Sequence, residues 1–346
     1  MQSGQTDAHP LDGTASVNVG AVPMIEVLRG GQVESVHTGH AVICGPDGEI
    51  VAAWGDPSAV IYPRSSCKML QALPLLESGA ADALTPAHLA LACASHSGGA
   101  IHTDLAGRWL ADLGLSEGDL LCGCQEPSDR SARNGLIRSD AAPCQLHNNC
   151  SGKHVGFLML NQRLGGGADY VDPAHPVQRA ILQAFEDITQ EASPWFGIDG
   201  CSAPNFATSV TGLARAMASF AAADSEGNAR ERAAVRLHRA MAAHPDLVAG
   251  QGRACTDLMR AMDGQAAIKF GAEAVYVAIL PGQKLGIALK IVDGGVRAAE
   301  AAITALLIRA GVLDAAHPAA LARLGGEMRN WRGISVGQIR TAAGFA

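Results

Sequence analysis

The chain has 346 residues, of which 48% are hydrophobic and 17% charged, and its net charge is −7. These proportions are typical of a globular protein with a large core, and its acidic balance, with no block of lysines and arginines, argues against a nucleic-acid or anionic-membrane partner. No uninterrupted apolar run reaches about 18 residues, so we expect no membrane span. Residues 1–22 lack the basic start and apolar centre of a signal peptide, which predicts a disordered tail and a cytoplasmic protein.

Nine cysteines are spread along the chain, and alanine and glycine are abundant. An odd and scattered set of cysteines without an export signal indicates free thiols or metal ligands more than a disulfide framework. The many small residues predict close packing of helices.

Strands are predicted at both ends of the ordered chain. Residues 23–36 alternate around a Gly30-Gly31 turn, and the apolar runs 40–43 and 50–54 flank Pro46-Asp47-Gly48, a hairpin turn signal. Near the other end, 274–280 and 285–292 read as strands separated by a turn, followed by a final helix over 298–310.

Helical patterns occupy the middle of the chain. They begin at Ser65, pass a boundary at Pro74, and recur after an irregular stretch over 120–145; the predicted helices cover 102–113, 155–160, 177–188, 213–220 and 229–243. The order predicts an α+β fold, with one antiparallel sheet built from N- and C-terminal strands. We expect a single catalytic domain over 23–346, with a helical part over about 65–265 inserted between the terminal strands.

Ser65 stands three residues before Lys68, at the start of an apolar helical pattern. Residues three apart share a helix face, so we expect the two side chains to come within hydrogen-bonding reach. A buried lysine that loses its proton can activate a serine hydroxyl, and the same spacing opens the catalytic helix of serine β-lactamases. The spacing alone also fits an ordinary helix start with a solvated lysine.

Two further stretches offer related chemistry. Lys269-Phe270-Gly271 comes directly before a predicted strand, where penicillin-binding enzymes carry Lys-Thr-Gly. The loop containing Ser95 and Ser97 places two hydroxyls in a glycine-rich bend, although it also fits a capped helix end.

Cys150 and Cys201 both lie in glycine-containing loops that could converge on a metal ion, although two distant cysteines fit buried thiols equally well. The Gly152-Lys153 pair does not form a P-loop, because a P-loop has a glycine separated by four residues from its Gly-Lys and a serine or threonine after it, where this chain has His147 and His154.

Taken together, five blocks in this order resemble the asparaginase II family, the rhizobial-type or class 3 L-asparaginases, over residues from about 23 to 340. The blocks are Tyr62-Pro63-Arg64-Ser65-Ser66-Cys67-Lys68 with Gln71-Ala72-Leu73-Pro74, Ser95-His96-Ser97-Gly98, Asn148-Asn149-Cys150-Ser151-Gly152-Lys153-His154, Asp199-Gly200-Cys201-Ser202-Ala203-Pro204, and Lys269-Phe270-Gly271-Ala272-Glu273. Two positions depart from the pattern: Cys67 stands between the serine and the lysine, and Ala274 replaces an expected glycine.

The resemblance implies a serine β-lactamase, penicillin-binding-protein or glutaminase type of fold, a homodimer, and hydrolysis of L-asparagine to L-aspartate and ammonia. It implies two catalytic Ser–Lys pairs, Ser65 with Lys68 and Ser97 with Lys269. It also implies a zinc ion near the active site; the implied zinc ligands are Cys150, Lys153 and Cys201, and the implied neighbours, which we expect to bind substrate, are Arg64, His154 and Asp199. Our hypothesis for the mechanism is that the zinc orients the substrate's α-carboxylate and α-amine. A lysine binds metal only as the neutral amine, so we expect Lys153 to need a strongly lowered pKa.

Which serine attacks is left open by the sequence. Two other functions also remain open: a β-lactamase-like or peptidase-like serine acyl hydrolase, and a zinc-binding structural or regulatory protein that has lost catalysis. The intact set of two serines and two lysines favours an enzyme.

Overall fold

The sheet at the centre of the fold consists of eight antiparallel strands, in a computed structural model that describes residues 17–346. All strands are β1 (Val22–Arg29), β2 (Gln32–Cys44), β3 (Ile50–Trp54), β4 (Val60–Ile61), β5 (Phe196–Ile198), β6 (Pro204–Phe206), β7 (Thr208–Ser209), β8 (Ala267–Gly271), β9 (Val275–Leu280), β10 (Leu285–Ile291), β11 (Glu327–Arg329) and β12 (Ser335–Thr341). The order in the main sheet is β11-β12-β1-β2-β10-β9-β8, with β3 paired to β2; β4 pairs with β7, and β5 with β6.

All of the α-helices within residues 17–346 except α12 and α13 lie between β4 and β8 in the chain. The helices are α1 (Lys68–Gln71), α2 (Leu73–Glu77), α3 (Pro86–Ala92), α4 (Ala100–Asp112), α5 (Arg130–Arg138), α6 (Ser151–Leu164), α7 (Pro176–Thr189), α8 (Val210–Ala222), α9 (Ala229–Ala243), α10 (Pro245–Val248), α11 (Ala254–Ala261), α12 (Val296–Arg309) and α13 (Pro318–Leu321). This arrangement confirms the predicted α+β fold class.

Close packing between the sheet and α8 depends on Gly286 in β10. A Cβ added at Gly286 would overlap the backbone of α8 at Ala214 and Ala218, so only glycine allows this approach. In the antiparallel register Gly286 pairs with Ile279, which pairs with Ala267. Side chains alternate along a strand, so Lys269 lies on the same sheet face as Ala267, the face that α8 covers.

The N-terminal boundary differs from the prediction. Residues 1–16 of the predicted tail lie outside the described residues, whereas 17–20 form a turn and Val22 begins β1. The carbonyl of Val17 hydrogen-bonds to His40 Nε2 at 2.7 Å, which ties this segment to the sheet.

Two predictions about irregular or helical segments were wrong. The stretch 120–145 contains α5, which Asp129 caps by accepting a hydrogen bond from the Ala132 amide at 2.8 Å. The chain does not end on a helix either, because β12 follows α13 and pairs with β1. Neither element has a buried residue, so neither carries the run of core apolar side chains on which the prediction relied.

Candidate active site

Ser65 lies in a tight 3₁₀ turn, Arg64–Cys67, directly after β4. Arg64 has φ +52°, a left-handed conformation that is strained for a side chain of this size. The Ser66 hydroxyl donates to the Pro63 carbonyl at 2.7 Å and holds the turn. Ser65 is half-buried and lines a cleft of about 150 Å³.

Strand β8 reaches this turn because residue 271 is glycine. A Cβ at Gly271 would overlap the Pro63 carbonyl oxygen and crowd the Ser66 amide. The glycine of the Lys-Phe-Gly block therefore brings β8, with Lys269, against the turn that carries Ser65.

The side-chain nitrogen of Lys68 is buried and does not hydrogen-bond to Ser65. Its Nζ donates to the Ala94 carbonyl and to the Cys150 sulfur, the latter at 3.1 Å. The contact expected from the three-residue spacing is thus replaced by two partners from distant parts of the chain.

Ser97 and Lys269, the second expected pair, are both buried, and no hydrogen bond joins them in the structure of residues 17–346. The Ser97 hydroxyl has no partner there, and Gly250 packs directly against it. Lys269 donates to the Phe270 carbonyl at 2.7 Å. Burial, together with the charge of Lys68, lowers the pKa of Lys269 to about 7, so this amine can gain or lose a proton near neutral pH.

His96 connects the serine loop to the start of α6, and sequence analysis did not assign it a role. Its Nδ1 accepts from the Gly98 amide at 3.1 Å, so Nε2 carries the proton and donates to Ser151 Oγ at 2.9 Å. Its ring stacks on His102 with centroids 4.6 Å apart. The signal in the sequence that could have indicated a role for His96 is its position between Ser95 and Ser97.

Arg64 and Asp199 form an ion pair beside the cleft, with Nη2 and Oδ1 2.7 Å apart. Hydrogen bonding to this carboxylate raises the pKa of Arg64. His154, on α6, shares a 2.9 Å hydrogen bond between Nδ1 and the Tyr170 hydroxyl. Burial lowers the pKa of His154 to about 4, so the ring is neutral at physiological pH.

The proposed metal ligands converge in one buried cluster. Lys153 Nζ lies 3.2 Å from Cys201 Sγ, and the thiols of Cys150 and Cys201 interact directly. All three residues are at most 4% exposed. Thiolates suit Zn²⁺, so this donor set fits the ion, with a lysine amine as third ligand. Within residues 17–346 no group of three or more His, Cys, Asp or Glu side chains is arranged to hold a metal, so a zinc site here depends on that lysine.

Lys153 does not have the lowered pKa that we expected. Burial alone would lower it, but the neighbouring sulfurs of Cys201 and Cys150 outweigh burial and raise the pKa. The interaction with Cys150 holds the pKa of Cys201 well below its usual value. A metal ion would therefore have to displace a proton from Lys153.

Several residues of the cleft went unnoticed in the sequence because no motif contains them together. Besides Ser65 the cleft is lined by Ser95, His96, Gln125, Glu126, Ser128, His147, Asn149, Arg253, Phe270 and Ala272. Arg253 comes from the start of α11, far from every block of the resemblance.

In this α+β fold a half-buried serine and two buried lysines lie beside a cleft. This arrangement is typical of a serine hydrolase that cleaves amides. A family model described as L-asparaginase II matches residues 25–341. The chain belongs to the L-asparaginase II family, which confirms the resemblance found from the motifs. No curated protein is similar enough to count as a match.

Solved structures with a similar fold are distant. A β-lactamase from Mycobacterium bovis has 14% identity and a TM-score of 0.44, covering 80% of this chain and 95% of its own. A putative β-lactamase from Bacteroides dorei has 12% identity and a TM-score of 0.42, covering 77% and 92%. The D-alanine carboxypeptidase AmpC from Burkholderia cenocepacia has 13% identity and a TM-score of 0.35, covering 85% and 92%. Similarity at this level says nothing about activity.

None of the helices within residues 17–346 has both the length and the apolar character needed to cross a lipid bilayer.

Proposed function

We propose that the protein hydrolyses L-asparagine to L-aspartate and ammonia, with Ser65 as the nucleophile. The observation that carries this assignment is the position of Ser65 at the cleft, in a turn that packs against β8, the strand that carries Lys269 with its pKa of about 7. Ser97, by contrast, is 4% exposed and does not line the cleft. A substrate amide therefore reaches Ser65 more readily than Ser97.

In the acylation step, Ser65 Oγ bonds to the side-chain amide carbon, and its proton passes toward Lys68. The backbone amide of Ser65 would stabilise the oxyanion, because the Arg64 amide donates to Asn205 Oδ1 and the Ser66 amide to the Pro63 carbonyl. The C–N bond then breaks, and the leaving nitrogen receives a proton through Ser97 and Lys269. Since the pKa of Lys269 is about 7, it can give that proton and recover it at neutral pH.

Deacylation reverses the roles. Water attacks the acyl carbon and loses a proton to the same lysines, the ester bond to Ser65 breaks, and the serine recovers its proton as L-aspartate leaves. Arg64, His154 and Asp199 would border the bound substrate, because the Arg64–Asp199 pair lies next to Ser65.

Cys150, Lys153 and Cys201 would hold a zinc ion. When bound, it would supply a fixed positive charge beside the cleft. Lys68 donates to Cys150, so the ligand cluster also positions a proposed catalytic amine.

The test is an ammonia-release assay over L-asparagine, L-glutamine and small dipeptides, with and without added zinc. Ser65→Ala should lower kcat by at least about a thousandfold. Ser139→Ala is the control, because Ser139 is exposed at the end of α5 and its hydroxyl bonds only to the carbonyls of Gly135 and Leu136. Wild-type turnover in Ser65→Ala would exclude Ser65 as nucleophile.

A β-lactamase-like or peptidase-like acyl hydrolase is the second candidate, favoured by the Ser65/Lys68 spacing and the lysine before β9. Hydrolysis of a chromogenic β-lactam without ammonia release from asparagine would select it. We also propose a homodimer, which size-exclusion chromatography with light scattering would test.

A further inference from the structure

Arg253 lies at the cleft of the proposed nucleophile and forms no ion pair within residues 17–346. It is half-buried and lines the same cleft as Ser65. Within residues 17–346 its guanidinium makes no hydrogen bond and has no carboxylate within 4.0 Å. By comparison, Arg64 pairs with Asp199, and Arg323 pairs with Asp257 at 2.7 Å. A half-buried arginine left unpaired in a cleft is available to bind an anion.

The segment that carries Arg253 is fixed against the serine loop. The Val248 carbonyl accepts from the Ser95 amide at 2.9 Å, and Gly250 packs on Ser97. The Thr256 hydroxyl donates to the Gly250 carbonyl at 2.6 Å. Arg253 is therefore held in a defined position relative to Ser95 and Ser97.

Ser95 supplies an independent indication of a ligand. Its side chain is 9% exposed and lines the cleft, and its hydroxyl has no hydrogen-bond partner in the described chain. A buried hydroxyl without a partner costs folding free energy, which a ligand oxygen can recover. A hydroxyl donor and a guanidinium in one cleft suit a carboxylate.

The remaining features of the cleft suit a free amino acid. Glu126 lines it too and offers the opposite charge; its only ion pair in residues 17–346 is a long one, 3.8 Å to Arg133. The volume of about 150 Å³ is well below the roughly 300 Å³ of the smallest drug-sized pockets. A cleft of this volume suits one small zwitterion.

We propose that Arg253 and Ser95 bind the α-carboxylate of the substrate, so that the enzyme acts on amides of free α-amino acids. This inference rests on the proposed amide hydrolysis at Ser65. In this arrangement a cation of the protein binds the α-carboxylate, a role that the sequence had predicted for zinc.

Three amides separate the contributions of the substrate's groups. L-Asparagine has both α-groups, succinamate keeps the carboxylate without the amine, and β-alaninamide keeps the amine without the carboxylate. Arg253→Gln should raise KM for asparagine and succinamate about 10- to 100-fold, because a charge-assisted bond is lost. It should change kcat/KM for β-alaninamide less than about twofold.

Arg260→Gln is the matched control, since Arg260 lies on the same helix but pairs with Asp246 at the surface. It should leave all three substrates unchanged. Ser95→Ala should repeat the pattern of Arg253→Gln with a smaller factor. If Arg253→Gln fails to fold by circular dichroism, Arg253→Lys serves in its place, because it keeps the charge but loses the bidentate geometry.

Equal losses on asparagine and β-alaninamide would overturn the inference and leave the proposed function intact. So would a wild-type enzyme that hydrolyses both with similar kcat/KM. If wild-type protein releases ammonia from none of the three, the proposed function fails first, and the inference fails with it.

Discussion

Lys68 Nζ lies 3.1 Å from Cys150 Sγ, so a proposed catalytic amine and a proposed zinc ligand are direct neighbours. The amine's other hydrogen bond goes to the Ala94 carbonyl, in the segment that leads to Ser97. Changes at the thiol should therefore reach the chemistry as well as the metal.

Replacing Cys150 tests this link. Cys150→Ala should lose bound zinc and lower kcat/KM at least about tenfold, because a metal ligand and a partner of Lys68 disappear together. Zinc content by mass spectrometry and ammonia release measure the two effects. Cys44→Ala is the control, since Cys44 is equally buried but its nearest partner is the Thr211 carbonyl at 4.0 Å. Unchanged zinc and activity in Cys150→Ala would contradict the arrangement.

The activity should fall as the pH rises through the pKa of Lys269. This amine is protonated below its pKa of about 7 and neutral above it, and only the protonated form can give a proton to the leaving nitrogen. The profile of kcat/KM should therefore show a limb with its midpoint near pH 7. Lys284→Met, at an exposed turn, should leave the midpoint unchanged. A midpoint near the ordinary lysine value of 10.5 would contradict the role of Lys269.

The same pKa affects stability. The native pKa of Lys269 lies below the 10.5 of an unperturbed lysine, so the unfolded chain binds more protons between these values. The contribution of Lys269 to the free energy of unfolding is therefore lowest below pH 7 and recovers as the pH rises toward 10.5. Lys269→Met should raise the free energy of unfolding more at about pH 6 than at about pH 9, measured by urea denaturation. An equal gain at both values would rule out a lowered native pKa.

Gly271 should not tolerate a side chain. Gly271→Ala places a methyl group against the Pro63 carbonyl, so we expect a loss of about 1–3 kcal/mol and a displaced Ser65. Urea denaturation and ammonia release report the two changes. Gly282→Ala is the control, because a Cβ there meets no atom within 4 Å. A stable and active Gly271→Ala enzyme would show that β8 does not pack tightly against the Arg64–Cys67 turn.

Ala274 occupies a position better suited to glycine. Its φ is +59°, as is that of Glu273, and an alanine in this region costs about 1–2 kcal/mol. Ala274→Gly removes that strain but also a buried methyl group, so stability should change little. Ala278, equally buried in β9, is the comparison. Ala278→Gly should lower the free energy of unfolding by about 1–2 kcal/mol, because no backbone strain is removed there. A lower melting temperature for Ala274→Gly than for Ala278→Gly would contradict the backbone strain at Ala274.

The sequence by itself determined features whose causes lie within a few neighbouring residues. Pro46-Asp47-Gly48 specifies the hairpin between β2 and β3, and α9 has the predicted bounds because Asn228 and Glu231 form a capping box at its start. The family could also be identified from the sequence, because its motifs are short and local. The bundle of helices and the sheet strands near both ends followed from apolar period and turn residues.

Only the tertiary structure decided which distant groups meet. The pairing of β12 with β1, the hydrogen bond from Lys68 to Cys150 instead of Ser65, and the entry of Arg253 into the cleft join residues from separate parts of the chain. Local pattern cannot select among such partners, because a buried lysine or thiol bonds to whichever group the packing leaves within reach. The pKa of Lys269 likewise follows from burial and the nearby Lys68, which exist only once the sheet and the helices have packed.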